Sequence, residues 1–154
     1  MRTQVLIAGA GPTGLVAALW LARQGVGLRI IDDSPGPGDS SRAIAVQARI
    51  LEFYRQLGIA DEVVAAGVRA NTLTMRREGR RVATAQLSDM GQGRSAFPFV
   101  LAFAQDDHER LLESHLARLG VTVERNTVLE GVTQGEVSVR ATLRTPAGTE
   151  VVEA

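Results

Sequence analysis

The residues whose types and spacing could do chemistry lie at the start of the chain, in Gly9-Ala10-Gly11-Pro12-Thr13-Gly14. Three glycines at this spacing let a main chain hold a diphosphate without a positive side chain. Gly9 would permit a tight turn, Gly11 a close approach of backbone to phosphate, and Gly14 close packing of a helix on a strand. The helix start then offers unpaired N–H groups and the positive end of its dipole to the anion. Asp32 lies 18 residues after Gly14, near the spacing of about 20 at which an acidic residue takes the ribose hydroxyls of an adenine dinucleotide. A 2′-phosphate would be repelled there, which disfavours NADP in this first site and leaves FAD and NAD. The structural alternative is a glycine turn that merely joins a strand to a helix, with Asp32 as a solvated strand end.

The elements that must position these residues can be read around them. Residues 3–8 and 27–31 are apolar and β-branched and predict buried strands, and residues 15–23 carry apolar side chains at helical spacing. Gly25 suits the helix end. The breaker-rich stretch 34–41 is a loop, followed by a helix over 44–56 and a short helix over 60–66. Residues 70–76 and 81–87 predict strands around a Glu78-Gly79 turn, 88–95 a loop, and 97–104 an extended segment. Asp106 or Asp107 is placed to cap a helix running to Leu119, and 121–124 should add a parallel strand. Residues 127–133, 136–143 and 149–153 predict an antiparallel meander that turns at Gly135 and at Pro146-Ala147-Gly148. Val151-Val152-Glu153-Ala154 reads as a strand in progress, so a piece of a longer enzyme is expected.

Composition narrows the function. The chain of 154 residues can build a sizeable core, and its formal net charge of zero argues against nucleic acid or an anionic membrane as partner. All 17 basic residues are Arg, and there is no Cys, which excludes disulfides, thiol catalysis and Cys-ligated zinc. Two histidines, His108 and His115, are too few for a histidine-rich metal site and read as surface or helix-packing residues seven positions apart on one helix. No metal site and no catalytic side chain are expected in this chain. No stretch is apolar for long enough to span a bilayer and the N-terminus does not read as a signal peptide, so a cytoplasmic location is expected.

Two features tilt the dinucleotide toward FAD. The glycine fingerprint begins within ten residues of the N-terminus, and the second strand is followed by a long loop carrying Ser40-Ser41-Arg42-Ala43. Arg42 could reach back to a phosphate or ribose with its fork of donors. The run from Val5 to Gly14, Ile31-Asp32, Ser41-Arg42-Ala43, Gln47-Ala48-Arg49-Ile50-Leu51-Glu52, Leu57-Gly58-Ile59 and Phe103-Ala104-Gln105 before Glu109-Arg110-Leu111-Leu112 occur in that order. Together they resemble the FAD-dependent aromatic-ring monooxygenases of the para-hydroxybenzoate hydroxylase and phenol hydroxylase type, over nearly the whole chain.

The resemblance implies an α/β chain with a Rossmann-like FAD-binding fold of the glutathione-reductase type, a parallel sheet plus an antiparallel β-meander, here incomplete. Residues 1–154 would be the N-terminal part of that domain, with 70–104 contributing strands toward the substrate region. The intact enzyme would hydroxylate an aromatic or polyketide-like small molecule with NADPH or NADH and O2, and could be a homo-oligomer. By matching position, Gly9, Ala10, Gly11, Pro12, Thr13 and Gly14 would wrap the pyrophosphate, and Arg42 would contact the phosphate or ribose region. Gln105 would lie on the flavin side. Asp32 stands where the family usually has Glu, so the ribose must come about one methylene closer or use Asp33 as well. Gln47 and Arg49 match the family's helix pattern and read mainly as structural. The family's Asp-Gly and Gly-Asp motifs do not occur within these residues. An NAD-dependent oxidoreductase domain and a non-catalytic dinucleotide-binding fragment are the competing readings.

Overall fold

Apolar, β-branched residues before the glycine turn form a strand, and helix formers after it form a helix. The computed structural model describes residues 1–38, 45–88 and 91–154. In chain order its elements are β1 (Val5–Ala8), α1 (Pro12–Arg23), β2 (Leu28–Ile31), β3 (Ala45–Val46), α2 (Ala48–Gln56), α3 (Ala60–Ala66), β4 (Val68–Ala70) and β5 (Thr72–Arg77). They continue with β6 (Arg80–Gln86), β7 (Val100–Ala102), α4 (Gln105–Arg118), β8 (Val123–Glu124), β9 (Val128–Gln134), β10 (Val139–Thr145) and β11 (Gly148–Glu153). They group into two units, Met1–Ser40 with Asp106–Ala154, and Ser41–Gln105.

The first unit holds a parallel sheet in the order β1-β2-β8 and an antiparallel sheet in the order β11-β10-β9. Ile7 stands opposite Ile30, and Ile30 and Ile31 opposite Val123 and Glu124. Helix α1 buries Leu15, Ala18 and Leu19, a stripe at i, i+3 and i+4. Helix α4 buries His108, Leu112 and Leu116, one turn apart along one face. Its two aspartates lie inside the first helical turn, so the helix begins at Gln105 and neither Asp is the preceding cap that the sequence suggested. Burial pushes the His108 imidazole below its ordinary pKa, opposed by the Glu109 charge. Ile31 joins Ala141, Leu143 and Val152 in one core, with Leu6 packed against it. The two sheets therefore share an apolar centre.

An ion network ties the same elements together at their polar edge. The Arg29 guanidinium on β2 donates to both Glu124 oxygens, at 2.7 and 2.6 Å, and to both Glu150 oxygens, at 2.7 and 3.0 Å. These bonds, the Glu124 pair first, raise the Arg29 pKa, and the Arg29 bond holds the Glu150 carboxyl below the usual carboxylate range.

The second unit pairs β3, β7 and β4 as an antiparallel sheet with Leu101 fully buried at its centre. Helices α2 and α3 bury Leu51, Tyr54, Ala60 and Val63. The helix expected over 44–56 begins only at Ala48, because Ala45 and Val46 pair with Ala102 and Leu101 instead. Ile44 lies outside the described residues. Strands β5 and β6 form a hairpin around Glu78 and Gly79, whose φ values of 51° and 77° match the type I′ turn. Every residue of both strands is exposed, and Arg76 faces Arg81 while Arg77 faces Arg80. Among the described residues no helix is long and apolar enough to cross a membrane.

Removing the Arg29 guanidinium leaves two carboxylates close together in a partly buried corner. Arg29→Met is expected to cost roughly 1–3 kcal/mol in urea unfolding, the range between an exposed pair and a fully buried one, and Arg29→Lys to recover part of it.

Candidate cofactor-binding site

The site is built where β1 ends and α1 begins. Gly9 has φ 105°, a conformation that L side chains rarely adopt, and its amide donates to the Ile31 carbonyl at 2.8 Å. The Ala10 amide donates to Asp32 Oδ2 at 2.6 Å. These two N–H groups are thus engaged inside the protein and shape the turn. Gly11 is the N-cap of α1, extended at φ −70° and ψ 177°, and Pro12 fills the first helical position. Among the described residues no side chain caps α1, and no acidic residue sits in its first turn. The first-turn amides of Thr13 and Gly14 have no intrahelical acceptor, so the positive end of the helix is open to an anion.

The three glycines do three different things. A Cβ on Gly14 would overlap the Gly9 carbonyl oxygen and come within 3.1 Å of its carbon. Gly14 is therefore required by the closure of the turn on itself as much as by packing on β1, where Ile7 Cγ2 would be 3.4 Å away. A Cβ on Gly11 would meet only Glu109 Oε1, at 3.9 Å. The described residues leave that space open.

Asp32, just past the end of β2, is fixed on both carboxylate oxygens. Oδ2 takes the Ala10 amide, and Oδ1 takes the Ser34 amide at 3.0 Å, the Ser34 hydroxyl and the Arg125 guanidinium at 3.2 Å. Burial acts to raise its pKa. The Ser34 hydroxyl, the Ala10 and Ser34 amides and the Arg125 charge outweigh burial and hold the carboxyl below the usual range. Asp33 beside it is exposed. A cleft of about 260 Å³ opens between Gly9, Asp32, Asp33 and residues 127–129.

The structure therefore brings the glycine turn, Asp32 and Asp33 to one place. Arg42 lies outside the described residues. Gln105 is half-buried and is the first residue of α4, not the residue before it. Gln47 is the N-cap of α2 without a side-chain cap bond. Arg49 pairs with Glu52 at 2.9 Å and lies 4.8 Å over the Phe53 ring, a structural role. Sequence reasoning missed Arg125 and residues 127–129. A usable signal was present: they follow directly on a parallel strand, and ligands of open α/β sheets bind outside the carboxyl ends of the strands. Among the described residues no three His, Asp or Glu side chains converge to hold a metal ion.

Residues 2–154 match the model of a family described as FAD binding domain. The chain belongs to this family. It is 40% identical over 149 residues to the 6-methylpretetramide 4-monooxygenase of Streptomyces rimosus, covering 97% of this chain and 27% of the relative. It is 36% identical over 147 residues to the pentachlorophenol 4-monooxygenase of Sphingobium chlorophenolicum, covering 95% and 27%. The flavin-dependent monooxygenase PieE, solved in complex with FAD and substrate, superposes with a TM-score of 0.89 at 26% identity, covering 100% of this chain and 29% of that one. The FAD-binding domain described here thus spans about a quarter of the length of these relatives.

The residues present fit the diphosphate of FAD, by the open space at Gly11 and the uncapped start of α1. The Asp32 and Asp33 side chains line the cleft beside this turn.

Gly14→Ala is expected to prevent stable folding of the FAD-binding domain, read as loss of a cooperative thermal transition, because the added carbon strikes backbone atoms. A second expectation concerns acid. A carboxyl with a lowered folded-state pKa contributes stability in full above the unfolded Asp value, about 3.9, and loses it as pH falls through the folded value. Asp32→Asn should therefore lower the melting temperature at pH 7 and flatten its fall between about pH 4 and pH 2.

Proposed function

We propose that this domain holds FAD at the β1–α1 turn in a flavoprotein monooxygenase that hydroxylates an aromatic or polyketide-like substrate with NADPH or NADH and O2. The single observation that carries the cofactor assignment is the space at Gly11 beside a helix start that no side chain among the described residues caps. In this reading the Gly11, Thr13 and Gly14 amides receive the pyrophosphate. Gly9, Ala10 and Pro12 shape the turn, and Asp32 with Asp33 meets the adenosine ribose. Residues 127–129 form the opposite wall of the adenosine cleft. Arg42 and Gln105 are assigned to the phosphate or ribose region and to the flavin side from their match to the family pattern. The names of the 6-methylpretetramide, pentachlorophenol and PieE monooxygenases support the reaction and its substrate class. The parallel β1-β2-β8 sheet beside a three-stranded meander supports a glutathione-reductase-type topology.

Bound FAD supplies the redox chemistry with O2. The part of this chain is to bind and orient. The helix dipole and main-chain amides neutralise the diphosphate, the Asp32 carboxylate accepts from ribose hydroxyls, and the buried stripe of α1 keeps the helix start fixed against the sheet.

Gly11→Ala separates binding from folding. Its backbone angles suit any residue and its Cβ touches only one carboxylate oxygen. The variant should unfold within about 0.5 kcal/mol of the parent, as an unstrained surface substitution does. Its FAD affinity, followed by quenching of flavin fluorescence, should fall at least ~10-fold, or about 1.4 kcal/mol. Unchanged affinity would remove the diphosphate from this turn.

A further inference from the structure

Arg125 follows directly on β8 and has its side chain 16% exposed. Its Nη1 lies 3.2 Å from Asp32 Oδ1 and donates to the Ser34 hydroxyl at 3.0 Å and the Gly36 carbonyl at 3.2 Å, while Nη2 donates to the Glu113 carboxylate on α4. One planar fork therefore joins the end of β2, the loop after it and a helix. Glu109, one helical turn before Glu113, accepts the Gly38 amide at 3.1 Å. The same helix thus braces the loop at two points.

Asp32 is a short acid. It can serve a ribose only from a fixed rotamer, because its reach leaves little room for adjustment. Ala10 holds one of its oxygens, and Ser34 with Arg125 holds the other. Arg125 does not line the cleft beside Asp32, so it acts from behind that residue.

We infer that Arg125 is a positioning residue for the adenosine half of the cofactor. It sets the Asp32 carboxylate and the 34–36 loop in the orientation that receives the ribose, and Glu113 holds Arg125 in place. This rests on the reading of the turn as an FAD site. A purely architectural role would instead tie α4 to the loop with no bearing on which part of the ligand is held.

The test compares FAD with FMN, which carries the flavin and one phosphate but no adenosine. Both are titrated into the protein and into Asp32→Asn, Arg125→Met, Arg125→Lys and the Asp32→Asn/Arg125→Met double variant. Each of Asp32→Asn and Arg125→Met should weaken FAD ~10-fold. The double variant should be weakened ~10-fold as well, not the ~100-fold of independent effects, since the two residues act as one unit. Arg125→Lys should recover part of the loss, and FMN affinity should stay within about twofold in Arg125→Met and Arg125→Lys, which leave the Asp32 carboxylate bonded to the Ala10 amide. FAD affinity unchanged in Arg125→Met, multiplicative losses in the double variant, or an equal loss of FMN binding would each overturn the inference while leaving the FAD site intact. A parent protein that binds no FAD would overturn the site and the inference together. Should Arg125→Met fail to fold, the Arg125→Gln/Glu113→Gln pair, which removes both charges at once, is read by the same criteria.

Discussion

The carboxylate of Asp32 is the interaction on which the candidate site depends. It sits past the end of one strand and takes the Ala10 amide from the turn after its neighbour, at 2.6 Å. That bond fixes where α1 begins relative to the sheet. The main chain repeats the tie a step earlier, where the Gly9 amide donates to the Ile31 carbonyl. A carboxylate so placed would be costly if it stood alone in a partly buried position. It is tolerated because Ser34 and Arg125 complete its shell on the other side. An acid described in sequence terms as a ribose ligand is thus also a structural member of the turn.

The glycine fingerprint divides in the same way. Gly9 answers to backbone conformation and Gly14 to a collision with the Gly9 carbonyl. Either requirement would exist with no ligand at all. Gly11 has neither constraint: it is extended, and an added Cβ would meet only Glu109 Oε1 among the described residues, at 3.9 Å. A glycine motif can therefore fold correctly and still lack the property that matters for a diphosphate, which explains why the motif by itself is a weak signal and why the space beside it decides.

Much of this was legible in the residues. The β1-turn-α1-β2 frame followed from a β-branched run, three glycines and an amphipathic stripe, all of them local signals. The meander was legible because Gly135 and Pro146-Ala147-Gly148 punctuate three alternating segments. What could not be read was set by distant partners. Ala45 and Val46 look like the first turn of a helix until Leu101 and Ala102 pair with them. Arg125 looks like any surface arginine, because Asp32, Ser34 and Glu113 reach it from positions 93, 91 and 12 residues away in sequence. The alignment of residues 124–127 with 32–34 comes from main-chain bonds such as Thr127 N to Asp32 O, which no side-chain pattern announces.

The β5–β6 hairpin carries one more consequence. Among the described residues only two strands pair in this sheet, and a two-stranded ribbon presents main-chain groups along its outer margins on which another copy could build. Its tip sets Arg76 against Arg81 and Arg77 against Arg80, like charges that loosen the ribbon. The same crowding of guanidinium groups would meet its own kind in any second ribbon arriving edge to edge. What weakens the pair from within thus also opposes a like neighbour from without, one feature of charge placement with two opposite signs.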